Sequence, residues 1–261
     1  MQFLTAVLSL WQREMVRFLR QRSRVFGAFA TPVLFWLFLG SGLGSSFSPP
    51  SASGGTGLYL EYFFPGTILL VVLFTAIFSS LSLIEDRKEG FLLSVLVAPV
   101  SRQAIVLGKI LGSATLATAQ GALLLLLSPL LGIHLSLLRF LGLTAVIFLI
   151  ALGLAALGFA TAWRTESLQG YHSVMNVVLF PMWLLSGALF PREGALSWVR
   201  WLMTANPLSY SQEALVGMLR PDHAGGISPL PVSLAVTAFF GCSMFLWSVL
   251  AARRGRIAGL A

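Results

Sequence analysis

The strongest constraint in this chain is a set of six apolar runs without a single Asp, Glu, Lys or Arg, near residues 25–44, 63–84, 110–131, 140–162, 173–190 and 230–252. Each is long enough to cross about 30 Å of hydrocarbon as a helix, which takes around 20 residues. Lipid offers the backbone no hydrogen-bond partners, and a helix satisfies its own. The expected fold is therefore an all-α integral membrane protein with six transmembrane helices and both termini on one side. Composition agrees, because 57% of the 261 residues are hydrophobic and only 10% charged, where a soluble domain has roughly half and a quarter.

Charge sets the orientation, since Lys and Arg accumulate on the cytoplasmic flanks of spans. One side holds Arg13, Arg17, Arg20, Arg22, Arg24, Arg87, Lys88, Arg102, Lys109, Arg164, Arg253, Arg254 and Arg256, thirteen of the seventeen basic residues. Arg139, Arg192, Arg200 and Arg220 fall on the other. The expectation is a multi-pass protein of the inner (plasma) membrane with cytoplasmic N- and C-termini. The net charge of +8 belongs to these flanks, so a nucleic-acid partner is not expected. Cys242 is the only cysteine, which excludes an intramolecular disulfide and a Cys-based metal site. His134, His172 and His223 lack metal-ligand spacing.

Residues 1–24 have the pattern of an amphipathic interfacial helix. Leu4, Leu8, Trp11, Met15 and Phe18 repeat on one face, and Arg13, Arg17, Arg20 and Arg24 on the other. The remainder, 25–261, is the six-span domain. Its residues 85–109 form a charged insert between the second and third runs and lie at the membrane surface. Within the insert Gly90 breaks the charged turn, Phe91 to Val97 is about two apolar helical turns, and Pro99 stops them. Span three opens with Gly108-Lys-Ile-Leu-Gly112, a small-residue spacing expected to serve close helix packing. Span five carries Asn176 and Pro181, the proline predicting a kink. Residues 191–220 contain Trp198, Trp201 and Tyr210 and are broken at Asn206-Pro207. This pattern predicts a short helical hairpin, re-entrant in character, at the outer interface.

Two stretches resemble a known family. Glu89-Gly-Phe-Leu-Leu-Ser-Val-Leu-Val-Ala-Pro-Val-Ser-Arg102, followed by Leu107-Gly-Lys109, is similar to the cytoplasmic coupling segment of ABC-2 type exporter permeases. Pro181-x-x-x-x-Ser-Gly-x-x-Phe-Pro191, Trp198, Asn206-Pro-Leu-Ser-Tyr210 and Glu213-Ala-Leu215 resemble the C-terminal signature of that family. The chain departs from the family pattern at Phe91, Leu93 and Ser197. The resemblance implies a permease subunit whose coupling helix docks on a separate cytoplasmic ATPase, with Glu85, Glu89, Gly90, Phe91, Leu92, Leu96, Pro99 and Arg102 as coupling residues. It also implies a homodimer or heterodimer of permeases in contact with lipid.

The chemistry absent from the sequence points the same way. The spans carry none of the ionisable residues that ion-coupled transporters place in the membrane, and the Gly108-Lys109 pair lacks the remainder of a phosphate-binding loop. No cofactor is expected in this chain, and ATP and Mg would sit on the partner subunit. Aromatic and small polar side chains, Phe35, Trp36, Phe74, Phe78, Trp183 and Ser186, are the expected lining of a path for an amphipathic, lipid-linked or drug-like substrate moving outward. The alternatives weighed are an ion-coupled secondary transporter or channel, and an intramembrane serine protease using Ser186.

Overall fold

The computed structural model describes residues 2–21, 58–220 and 227–254, with isolated helical positions between 26 and 42. Half of the first expected span, Phe35 included, lies outside the described residues. No strand occurs among the described residues. In chain order the helices are α1 (Gln2–Arg20), α2 (Leu58–Ser79), α3 (Leu81–Lys88), α4 (Phe91–Val97), α5 (Arg102–Leu125), α6 (Leu137–Arg164), α7 (Leu168–Trp183), α8 (Ser197–Ala205), α9 (Pro207–Leu219) and α10 (Leu230–Arg254). A π turn, Leu184–Ala188, extends α7, and 3-10 turns occupy Ser128–Leu131 and Arg192–Gly194.

Among the described residues three stretches are long and apolar enough to cross a membrane: Tyr59–Lys88, Leu137–Arg164 and Leu230–Arg253. The first joins α2 to α3 through a tight turn at Ser80, where the Tyr171 hydroxyl donates to the Ile77 carbonyl at 2.9 Å. α2 is apolar all round, and 89% of its most apolar stretch is buried, which makes it the central post. It packs against α5, α6, α7, α9 and the π turn. α10 is only 22% buried over the equivalent stretch and lies at the edge, against α6 and α9.

Helix starts follow their caps rather than the last charge. Ser101, Ser136 and Ser167 each accept a backbone N–H three residues on, from Ala104, Arg139 and Gly170. Hence α5 begins at Arg102 rather than near 110, and Lys109 belongs to that helix and not to the surface insert. It ends at Leu125, short of the expected 131, and the chain turns through Ser128–Leu131. α7 likewise begins at Leu168, before the expected 173.

α1 is the element whose faces differ most from the expected pattern. The stripe buried against the protein is Val7, Leu10, Glu14 and Phe18, while Leu4 and Leu8 are 63% and 54% exposed. The buried stripe lies on α5 at Gly108 and Gly112. A Cβ added at Gly108 would stand 2.9 Å from the Leu10 Cβ, and one at Gly112 would stand 2.8 Å from the Glu14 Cβ. The Gly108-x-x-x-Gly112 spacing is thus the groove that seats α1.

The far end of α2 meets the α8–α9 hairpin, which divides at Asn206 and Pro207. Pro181 lies within α7, and three residues later the helix widens into the π turn, with Gly187 at φ 85°. The hairpin supplies the broken end with donors. Asn206 Nδ2 donates to the Met182 carbonyl at 2.6 Å and the Ser209 hydroxyl to that of Leu185 at 3.0 Å, while Asn206 Oδ1 caps α9 at Leu208.

Candidate functional site

The site is assembled where α1, α3, α4 and α5 meet. Asp86 of α3 is fully buried, yet it is an acceptor for three cations. Arg13 of α1 grips it bidentately, Nη1 at 2.9 Å and Nη2 at 2.6 Å. Arg17 Nη1 donates at 2.7 Å, and its Nη2 reaches Glu85 at 2.8 Å. Lys109 of α5 donates to Asp86, to Glu14 of α1 at 2.6 Å and to the Ser82 hydroxyl at 3.1 Å. Lys109 and Glu14 are each 4% exposed. Arg13, Arg17 and Lys109 offset the buried or half-buried Glu14, Glu85 and Asp86, and the exposed Glu89 stands at the edge, 3.7 Å from Arg17 Nη2.

Such a cluster is stable only when each buried charge is paired and hydrogen-bonded. Removing any member strands its partner in a poorly solvated place, so the network fixes the register of α1 against α3 and α5. Two further arginines fasten the same layer to distant helix ends. Arg87 donates to the carbonyls of Thr165, Ala162 and Trp163 at the end of α6, and Arg102 to that of Ala252 near the end of α10, at 2.8 Å. Both are cations at helix C-termini, where orphan carbonyls and the helix dipole favour positive charge.

α4 is presented on this base. Gly90 has φ 76°, a left-handed conformation open to glycine without penalty, and this turns the chain out of α3. The Arg13 guanidinium lies 3.6 Å from the centroid of the Phe91 ring. Leu92 is buried, whereas Leu93 and Val97 are 48% and 81% exposed. An apolar groove runs between α4 and α1, lined by Thr5, Ser9, Leu10, Ser94, Val95 and Pro99. Beside it Arg17, Arg20, Gln21 and Glu89 form a polar groove. The site can therefore offer a partner an apolar ridge with charged flanks.

The predicted coupling residues divide between two roles. Glu89, 61% exposed, together with Gly90 and the exposed Pro99, borders the outward face. Glu85, Leu92 and Arg102 hold the layer together from within, and Phe91 and Leu96 are partly buried against the core. Leu93 and Val97 carry most of the outward face and were not among the predicted residues; their positions in the two-turn helix, opposite Leu92, were the available signal. Glu14, Asp86 and Lys109 were also missed. Of the predicted path residues, Trp183 and Ser186 are closed inside the protein in this conformation. Trp183 Nε1 donates to the Gly66 carbonyl at 3.0 Å and the Ser186 hydroxyl to that of Trp183 at 2.6 Å. Trp36 is 5% exposed and donates to the Leu60 carbonyl. Phe74 and Phe78 keep partial exposure and stack with centroids 5.4 Å apart, next to His172.

Comparison with known proteins adds an independent finding. The sequence pattern of the family described as ABC-2 type transporter matches residues 5–219. A chain of Cyanophora paradoxa named as transport permease ycf38 is 28% identical over 215 residues, covering 82% of this chain and 73% of that one. Nodulation protein J of Rhizobium leguminosarum bv. viciae is 24% identical over 249 residues, 95% of this chain and 93% of its own. The daunorubicin resistance ABC transporter permease protein DrrB1 of Streptomyces coeruleorubidus is 25% identical over 212 residues, 78% and 71% respectively.

Proposed function

The chain belongs to the ABC-2 type transporter family, and from that premise we propose that it is the permease half of an exporter driven by a separate cytoplasmic ATPase. Family membership makes it a membrane transport subunit. The proposal adds the direction of transport and a substrate class, amphipathic, lipid-linked or drug-like. It also adds the full plan of six spans, with 1–24 as the interfacial helix, 85–109 as the coupling region, 191–220 at the outer face, and the termini in the cytoplasm of an inner-membrane protein. ATP and Mg reside on the partner, and two permease chains, identical or not, enclose the path. Phe74 and Phe78 are the described side chains best disposed to line it, because they combine aromatic faces with partial exposure on α2.

The observation that carries the reading is α4 itself, a two-turn helix with Leu93 and Val97 turned outward on a buried ionic base. Apolar exposure on such a base suits a protein partner. Closing motion of an ATPase pair would press on α4, and the network would pass the displacement to α1, α3 and α5 together.

The test is co-purification with the ATPase subunit encoded beside the chain, comparing wild type with Glu89→Arg and Gly90→Pro, and ATPase activity in lipid vesicles. A stoichiometric complex weakened by either change is the expected result. A wild-type chain that neither binds nor stimulates any such ATPase would overturn the proposal.

A further inference from the structure

At the opposite end of α2, on the order of 35 Å from Asp86 at 1.5 Å per helical residue, a second polar site lies under the hairpin. A cavity of about 60 Å³ is lined by Glu61, Tyr62 and Pro65 of α2, Gly187 of the π turn, Arg192 and Glu193, and Gln212, Glu213 and Val216 of α9. The Gln212 side chain is 3% exposed, and its Oε1 has no hydrogen-bond partner among the described residues. A buried acceptor left without a donor is destabilising. The surrounding charges do not cancel. Glu61 is taken by Arg220 at 2.6 Å, and Arg192 offsets one of Glu193 and Glu213. Among the described residues, with Glu213 ionised, one negative charge is left beside an unused acceptor.

We infer that this cavity binds one primary ammonium group, held by the Glu213 carboxylate and the Gln212 side-chain carbonyl. The demand is for one positive charge bearing N–H donors, and a cavity of this size accepts a head group of one or two heavy atoms. The described residues form no group of three His, Cys, Asp or Glu able to hold a metal ion, so a multidentate metal site is not the better fit. Exposed Trp198 and Trp201 on the adjoining α8, 64% and 70% exposed, put the cavity at headgroup depth. The ammonium can therefore come from a soluble amine or from an aminophospholipid.

Proton competition follows from the surroundings of Glu213. Burial pushes its carboxyl up to about 7; Glu193 adds to the rise, while the Ile227 N–H and Arg192 oppose it. Glu61 and Tyr62 on α2 and Arg220 beyond α9 are the other ionisable groups lining the cavity. Only the ionised carboxylate pairs with an ammonium, so the site empties as Glu213 takes up a proton.

The full chain, in nanodiscs of phosphatidylcholine, is titrated with methylammonium while the thermal unfolding midpoint is followed at pH 6 and pH 8. Saturable binding roughly tenfold tighter at pH 8 is expected from a carboxyl titrating near 7. Glu213→Gln, close to isosteric, abolishes binding at both pH values, and Gln212→Leu weakens it while leaving the pH dependence. Repetition in phosphatidylethanolamine separates the sources: a lipid amine already seated lowers the apparent affinity, and a site reserved for soluble amines leaves it unchanged. PH-independent binding, equal binding of tetramethylammonium or potassium, or unchanged binding by Glu213→Gln would each overturn the inference.

Discussion

Lys109 shows how much one residue can carry in this molecule. It is a buried ammonium on the third turn of α5, satisfied by Glu14, Ser82 and Asp86. Lys109→Met should destabilise the protein by about 3–5 kcal/mol, the usual cost of breaking a buried pair. Thermal unfolding in detergent measures it, and adding Glu14→Met should recover part of the loss. Glu213 gives a signed pH effect. Its carboxyl rises from an ordinary 4.5 to about 7 in the fold, so the folded protein holds the proton more tightly. The stability this contributes is complete below pH 4.5 and is lost as pH rises through 7. Glu213→Gln should flatten the unfolding midpoint across that window, and a wild-type slope retained in the variant would assign it elsewhere. Neither residue's role was legible in the sequence. Lys109 reads as one more cytoplasmic charge because its counterion Glu14 lies in another helix, and Glu213 reads as a polar residue of a short hairpin.

Elements defined by local chemistry were legible. Gly90 and Pro99 bracket α4 because a left-handed turn and a missing N–H act within a few residues. The division of the hairpin at Asn206 and Pro207 rests on an N-cap and a first-turn proline, equally local. What escaped was facing. Leucines facing lipid and leucines facing α5 have the same composition, so the face α1 buries had to be read from the groove at Gly108 and Gly112. Gly112→Val should lever α1 away by colliding with Glu14 and loosening its bond to Lys109. Faster proteolysis of the first twenty residues with α6 and α10 unchanged is the expected outcome. Asn206→Ala removes the cap of α9 and the donor to Met182 together, at a cost of about 2 kcal/mol, measurable as a lower unfolding midpoint.

Across the whole molecule, the fold separates an anchoring layer from a contacting surface. Class and membrane character followed from uncharged runs, but whether Trp183 faces a path or a core depends on how all the helices close around α2, which no run of residues encodes. Val97→Asp should remove ATPase binding while leaving the unfolding stability within about 0.5 kcal/mol of wild type, as expected for a surface change. Asp86→Asn should lower both. Size-exclusion chromatography with the partner, run beside thermal unfolding, separates these outcomes.

The brackets at Gly90 and Pro99 have one more consequence. Because α4 begins and ends through its own backbone chemistry and its supports, Asp86, Arg87 and Arg102, lie outside it, the seven residues Phe91–Val97 behave as an interchangeable cassette. A graft that keeps an aromatic ring under Arg13 and apolar side chains in place of Leu92, Val95 and Leu96 should fold unaltered while presenting different residues at Leu93 and Val97, so the choice of motor could be rewritten without rebuilding the machine it drives.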